Sequence, residues 1–192
     1  MLKIYKKAQP SLFDRPIGEI EEILAANIGW LDTIFGRCER LVKMINGRKY
    51  YTPNWYTEKN DYILVAPDER KLGNFCFFML DEPTDLDEYA EGDVTLCRCG
   101  FSIIFWLDIR SLGNGRDTEG AKQDILQCLN GEAHLHEGRF TISRIYERAE
   151  NIFKEFDLDE IDNQFLMHPF AGFRVDGELM MYTDCSIIVP IQ

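Results

Sequence analysis

Residues Cys97 to Leu112 read CRCGFSIIFWLDIRSL, and the fold turns on how this stretch is read. Every second residue from Cys97 gives Cys97, Cys99, Phe101, Ile103, Phe105, Leu107 and Ile109. Between them stand Arg98, Gly100, Ser102, Ile104, Trp106, Asp108 and Arg110. A period of two with one wholly apolar face predicts a long strand. The same pattern bears on the Cys-Arg-Cys triplet. Both thiols fall on the buried face, where free cysteine behaves as a small hydrophobe rather than a metal or redox pair.

Outward from this strand the punctuation is regular. Gly113-Asn114-Gly115 ends it. Ala121, Ile125, Leu126 and Leu129 then fall on one side of a helix expected from about Thr118 to Leu129, with Asn130-Gly131 as its stop. Ile142, Ile145, Tyr146, Ala149, Ile152, Phe153 and Phe156 follow in helical steps, although the opening residues from Gly138 also fit a strand. At the end of the chain Phe173, Val175, Leu179 and Met181 alternate with Arg174, Asp176, Glu178 and Tyr182, which predicts a strand with one wet face.

Upstream, apolar residues from Ile17 to Ile45 recur in steps of three and four between Arg15-Pro16 and Asn46-Gly47. That spacing predicts one helix, or two meeting near Asn27 to Trp30, since Gly29 and Gly36 weaken the middle. Residues 1–16, with Pro10 and Pro16, read as an N-terminal arm, and residues 17–192 as a single domain. The arm carries Lys3, Lys6, Lys7 and Arg15 and can reach an acidic neighbour or hang free. Residues 48–83 are aromatic, β-branched and broken by turns, so short strands are expected, foremost Tyr62 to Ala66 and Phe75 to Leu80. The acidic run DEPTDLDEYAEGD, residues 81–93, reads as an exposed loop. This order predicts an α+β fold: an antiparallel or mixed β-sheet with helices packed mainly on one face.

Composition narrows the function classes. With 33 acidic against 21 basic residues the formal charge is -12, which repels a phosphate backbone and argues against nucleic-acid binding. No apolar run reaches the roughly 20 residues of a membrane span, and no signal-peptide segment opens the chain. A cytoplasmic protein is expected. The six cysteines, Cys38, Cys76, Cys97, Cys99, Cys128 and Cys185, are spread through apolar segments and read as reduced thiols.

Motifs for chemistry are sparse. LGNGRDTEG lacks the Lys-Ser/Thr of a phosphate loop. His134 and His136 have strand spacing that suits a metal only if a carboxylate joins them. No nucleophile elbow is present. Asp81, Glu82, Asp85, Asp87, Glu88, Glu91 and Asp93 crowd one segment without the spacing of a calcium loop. Tyr50, Tyr51, Trp55, Tyr56 and Tyr62 form either a stacking or protein-binding patch or the edge of the core. Neither a catalytic residue nor a cofactor is expected.

Three stretches carry a resemblance: WLDTIFGRCERLV (30–42), LGNFCFF (72–78) and HPFAGFRVDGELMMYTDC (168–185). They resemble prophage and mobile-element proteins of Bacteroides-type bacteria. The element order is similar to that of tail-terminator and head-tail or tail-completion proteins of long-tailed phages. The resemblance implies a structural protein without an active site. It would form a ring, commonly of six subunits, that caps or joins the tail, meets tail-tube or neck proteins, and ends in the virion of an active phage. A negative channel would let DNA pass without adhering. The aromatic segment and the acidic run depart from that pattern.

The contacts expected for such a role are Arg174, Asp176 and Glu178 on the last strand, and Asp85, Asp87 and Glu88 on the acidic segment. Two alternatives remain. One is a small acidic inhibitor or immunity-type protein that binds a basic partner. The other is an enzyme whose residues converge only in space, in a pocket with His168 or the His134 and His136 pair.

Overall fold

The structure is a computed structural model that describes residues 2–57, 59, 61–67, 72–88, 94–129, 132–136, 138–157 and 167–184. Cys185, Glu91, Asp93 and the expected helix stop at Asn130-Gly131 lie outside the described residues, as do the side chains of Asp87, Glu88 and His134. In chain order the elements are β1 (Lys3–Tyr5), α1 (Asp14–Asn27), β2 (Thr33–Arg37), β3 (Glu39–Ile45), β4 (Arg48–Tyr56), β5 (Tyr62–Leu64), β6 (Phe75–Glu88), β7 (Val94–Asp108), α2 (Thr118–Leu129), β8 (Glu132–His134), β9 (Arg139–Tyr146), α3 (Ala149–Ile152) and β10 (Phe170–Asp184).

Seven strands form one mixed sheet in the order β1-β2-β6-β7-β10-β9-β8, and β3-β4-β5 form a second, antiparallel one. β1, β2 and β6 run parallel, while β7, β10, β9 and β8 pair antiparallel. The fold is α+β, with a sheet covered on both sides. On one face Ile17, Ile20 and Leu24 of α1 and Ala121, Ile125 and Leu129 of α2 pack on Ile103, Phe105, Phe173 and Val175. On the other, Phe75, Phe77, Ile104 and Trp106 are covered by Trp55 and Val65 from the small sheet and its exit, and by Ile152, Phe153 and Phe156 around α3.

β7 spans the predicted strand but stops at Asp108, where a single 3-10 turn, Ile109–Ser111, takes over. The Asp108 carboxylate accepts from the Arg110 N–H at 3.0 Å, and this side-chain bond ends the ladder. Cys97 and Cys99 are buried in the helix-side core, as their alternation predicts. The even positions Ile104 and Trp106 are buried as well, because the second layer covers that face. α2 occupies the predicted span.

Four expectations are corrected. The stripe from Ile17 to Ile45 is helical only as far as Asn27; β2 and β3 make up the rest. β2 is buried on both faces, with Ile34 toward the helices and Phe35 toward the small sheet. A strand covered twice loses its alternation, so its apolar residues fit a helical template by chance. Asn46-Gly47 does end an element, but as a hairpin turn with φ of 49° and 79°.

The N-terminal arm is partly ordered. Lys3–Tyr5 pairs in parallel with Thr33–Phe35, and Pro16 lies in the first turn of α1, where its missing N–H costs nothing.

The acidic loop is instead largely strand. β6 continues to Glu88, with Thr84–Glu88 paired to Thr95–Cys99. Pro83 sits where the register shifts between Leu80 and Thr84, the place where a strand tolerates proline.

Finally, Arg139–Tyr146 is β9, and only Ala149–Ile152 is helical. The ladder pairs Ile145 with Val175 and Ile142 with Gly177, and it shifts between Asp176 and Gly177. Ser143 is thus a bulge residue. It puts Ile142 and Ile145 on one face three residues apart, which mimics a helical step.

Candidate functional site

Arg174 is fully buried on β10, on the face opposite the helices. Its Nε donates to Asp176 Oδ1 at 2.5 Å, and its Nη2 donates to Ser102 Oγ at 2.6 Å and Glu155 Oε1 at 3.0 Å. Ser102 Oγ donates in turn to Asp176 Oδ1 at 2.8 Å, and Lys154 Nζ lies 3.6 Å from Asp176 Oδ2. Strand pairing explains the cluster, since Asp176 stands opposite Ser102 and the turn after α3 carries Lys154 and Glu155 over this face. Burial works against the guanidinium charge, but Asp176 and Glu155 outweigh it and hold the Arg174 pKa above its ordinary value. Asp81, 3.9 Å from Arg174, is pushed up, first by burial and then by Glu155.

Arg174 and Asp176, expected on a charged outer face, are therefore engaged within the chain. The segment around α3 covers what reads from the sequence as a wet face. Glu178, two residues on, is exposed and stands apart from the cluster. Asp85 is exposed on β6 opposite Arg98, and Asp87 and Glu88 follow in the ladder opposite Leu96 and Thr95.

A groove of about 1100 Å³ opens beside this network. Leu12, Met79, Leu80, Leu86, Cys97 and Cys99 give it an apolar lining, and Asp81, Glu82 and Glu155 contribute carboxylates. Leu86 at 65% and Leu12 at 52% are unusually exposed for leucines. Cys99 donates its S–H to the Asp81 carbonyl at 2.8 Å, and burial raises its pKa, so it is an unreactive thiol in the wall. Among the described residues no histidine lines this groove or the 540 Å³ pocket between α1 and α2 at Trp30 and Asp124. His168 is exposed, and the exposed His136 donates its backbone N–H to Glu19 Oε2 at 2.6 Å. Among the described residues no three His, Cys, Asp or Glu side chains cluster as metal ligands.

The small sheet is charged in the opposite sense. Residues 40–57 contain Arg40, Lys43, Arg48 and Lys49 and no carboxylate. The β3–β4 hairpin exposes Val42 at 49% and Met44 at 61%. Arg40 lies over the Tyr51 ring at 3.9 Å. The aromatic group divides. Trp55 is buried, edge-on to Tyr5 at 5.3 Å, whereas Tyr62 is exposed and tilted against Tyr56 at 5.0 Å.

One further ionisable pair lies under α1. Glu21 is buried against Gly36, where a Cβ would come within 2.8 Å of its Oε1. Its Oε2 has no hydrogen-bond partner among the described residues. Burial raises its pKa to about 8 against the opposing pull of Lys6, so the carboxyl is largely protonated at neutral pH. Asp14 nearby accepts from Lys7 Nζ at 3.0 Å and lies 3.2 Å from Arg37 Nε.

Sequence reasoning missed Glu155, Ser102 and Glu21, which meet their partners only through the sheet. The basic hairpin was visible as an 18-residue window without an acid, in a chain where acids predominate. Compared with known protein families and with curated proteins, the chain matches none. No helix among the described residues is long and apolar enough to cross a membrane.

Proposed function

We propose that the chain is a structural protein of a long-tailed phage or prophage, of tail-terminator or head-tail completion type, that assembles with copies of itself into a ring capping or joining the tail. One observation carries this reading. The three central strands, of 14, 15 and 15 residues, are more than twice the usual length of about 5–6. Their far end exposes Leu86 and Tyr182 on opposite faces, beside the carboxylate of Asp85. Exposed apolar residues on a broad ribbon suit a large protein partner better than a small ligand. A ring with such acidic ribbons would repel DNA from its wall.

The test is tail-tube protein polymerised with and without this chain. Tubes that stop growing and carry an extra ring at one end in electron micrographs are the expected result. Unchanged tube lengths and bare ends at saturating protein would remove the reading. A one-to-one complex with a basic protein, in place of tube capping, would put the inhibitor reading first.

A further inference from the structure

Two surfaces of opposite character lie on the same molecule. The β3–β4 hairpin is basic and apolar, with exposed Val42, Met44, Lys43 and Lys49. The groove beside β6 is apolar and acidic, with Leu12, Leu80 and Leu86 flanked by Glu39, Asp81, Glu82 and Glu155. Among the described residues, Lys43, Lys49, Glu82 and Asp85 form no ion pair. The groove's own cations are occupied: Arg37 faces Asp14, and Arg40 stacks on Tyr51.

We propose that the β3–β4 hairpin of one copy docks in the groove of a second copy. Val42 and Met44 would cover Leu12 and Leu86, while Lys49, paired with Met44 on the same hairpin face, meets Glu82. The hairpin cannot fill its own groove. Its base, Glu39 and Arg40, forms part of the groove wall. Its strands then run in unbroken register from Glu39 opposite Asn54 to Ile45 opposite Arg48, which carries the tip about 20 Å away. A straight antiparallel pair cannot fold back on its base. Each molecule therefore offers a filled-in plug and an unfilled socket, the arrangement of a head-to-tail contact. Apolar cover supplies the affinity, and the opposed charges set the register and exclude other pairings. This inference rests on the ring reading, in which the plug and socket join successive subunits.

The experiment uses the full chain with two charge reversals, Lys49→Glu on the hairpin and Glu82→Lys on the groove. Both residues are exposed, and circular dichroism checks that each variant is folded. Mass is followed by sedimentation against concentration and salt. Each variant alone should self-associate at least about tenfold more weakly than the parent, because like charges then oppose across the joint. An equimolar mixture of the two should recover assembly, since the hairpin of each variant meets an oppositely charged groove on the other. The variant carrying both changes should recover assembly as well. Parent and variants that associate alike would overturn the hairpin–groove contact while leaving the ring reading standing. A parent that stops at a charge-sensitive dimer would keep the contact and remove the ring. A parent and variants that remain monomeric at every concentration would overturn both.

Discussion

Arg174 illustrates how a charged residue can read as surface and serve as core. It lies on the strand face that alternation marks as polar, yet it is covered by the segment around α3 and bonded to Asp176, Ser102 and Glu155. Removing one partner of a buried cluster leaves the others desolvated and unpaired, so Arg174→Ala should lower stability by about 3 kcal/mol. Urea unfolding measures this. A loss below roughly 1 kcal/mol, the range of exposed pairs, would show that the cluster is solvated. Glu21 gives a second test at this scale. Its pKa of about 8 in the folded chain lies above the ordinary carboxylate value because of burial, so the folded state holds a proton that the unfolded state has already released. Its stabilising effect is complete below about pH 4.5 and is lost as pH rises toward 8. Stability should therefore fall by up to about 1.4 kcal/mol per pH unit from this residue across that window. Glu21→Gln should flatten the slope; an unchanged slope in the variant would show that Glu21 is ionised throughout.

At the scale of elements, the period-two strands were legible where one face is wholly apolar in residue type and the other carries polar residues, as in β7 and β10. β10 and α2 follow directly from Phe173, Val175, Leu179 and Met181, and from Ala121, Ile125 and Leu129. Legibility failed where tertiary cover or a register shift altered the spacing. β2 has no wet face, Ser143 adds a residue to β9, and Pro83 falls at a break in β6 that the partner strand bridges. None of these causes is local in sequence. The bulge yields its own prediction. Gly177 has Thr141 O against the position a Cβ would take and the Phe101 ring 2.8 Å from it. Gly177→Ala should force β9 away from β10 and cost about 2–3 kcal/mol, the range for overpacked sites. Faster amide hydrogen exchange confined to β8 and β9 would locate the damage there. Native exchange in those strands would mean that the bulge accommodates a methyl group.

At the scale of the whole molecule, charge is segregated in a chain whose net value hides the fact. The net charge of -12 suggests only an acidic surface, whereas the hairpin from Arg40 to Lys49 is basic and the end of β6 is acidic. Of the expected contact residues, Asp85 and Glu178 remain exposed, and Arg174 and Asp176 hold the protein together from inside. The candidate site was thus half legible. The acidic half stands in one continuous run. The groove needs residues from the arm, β6, β7 and the turn after α3, which only folding brings together. The central claim is that these surfaces make the chain a ring-former. Its most direct measurement is the solution mass by light scattering, over a wide range of concentration and at low and high salt. Growth with concentration to one defined multiple of the 22.4 kDa chain, weakened by salt, is the expected result. A mass of one chain at every concentration and in both salts would contradict it.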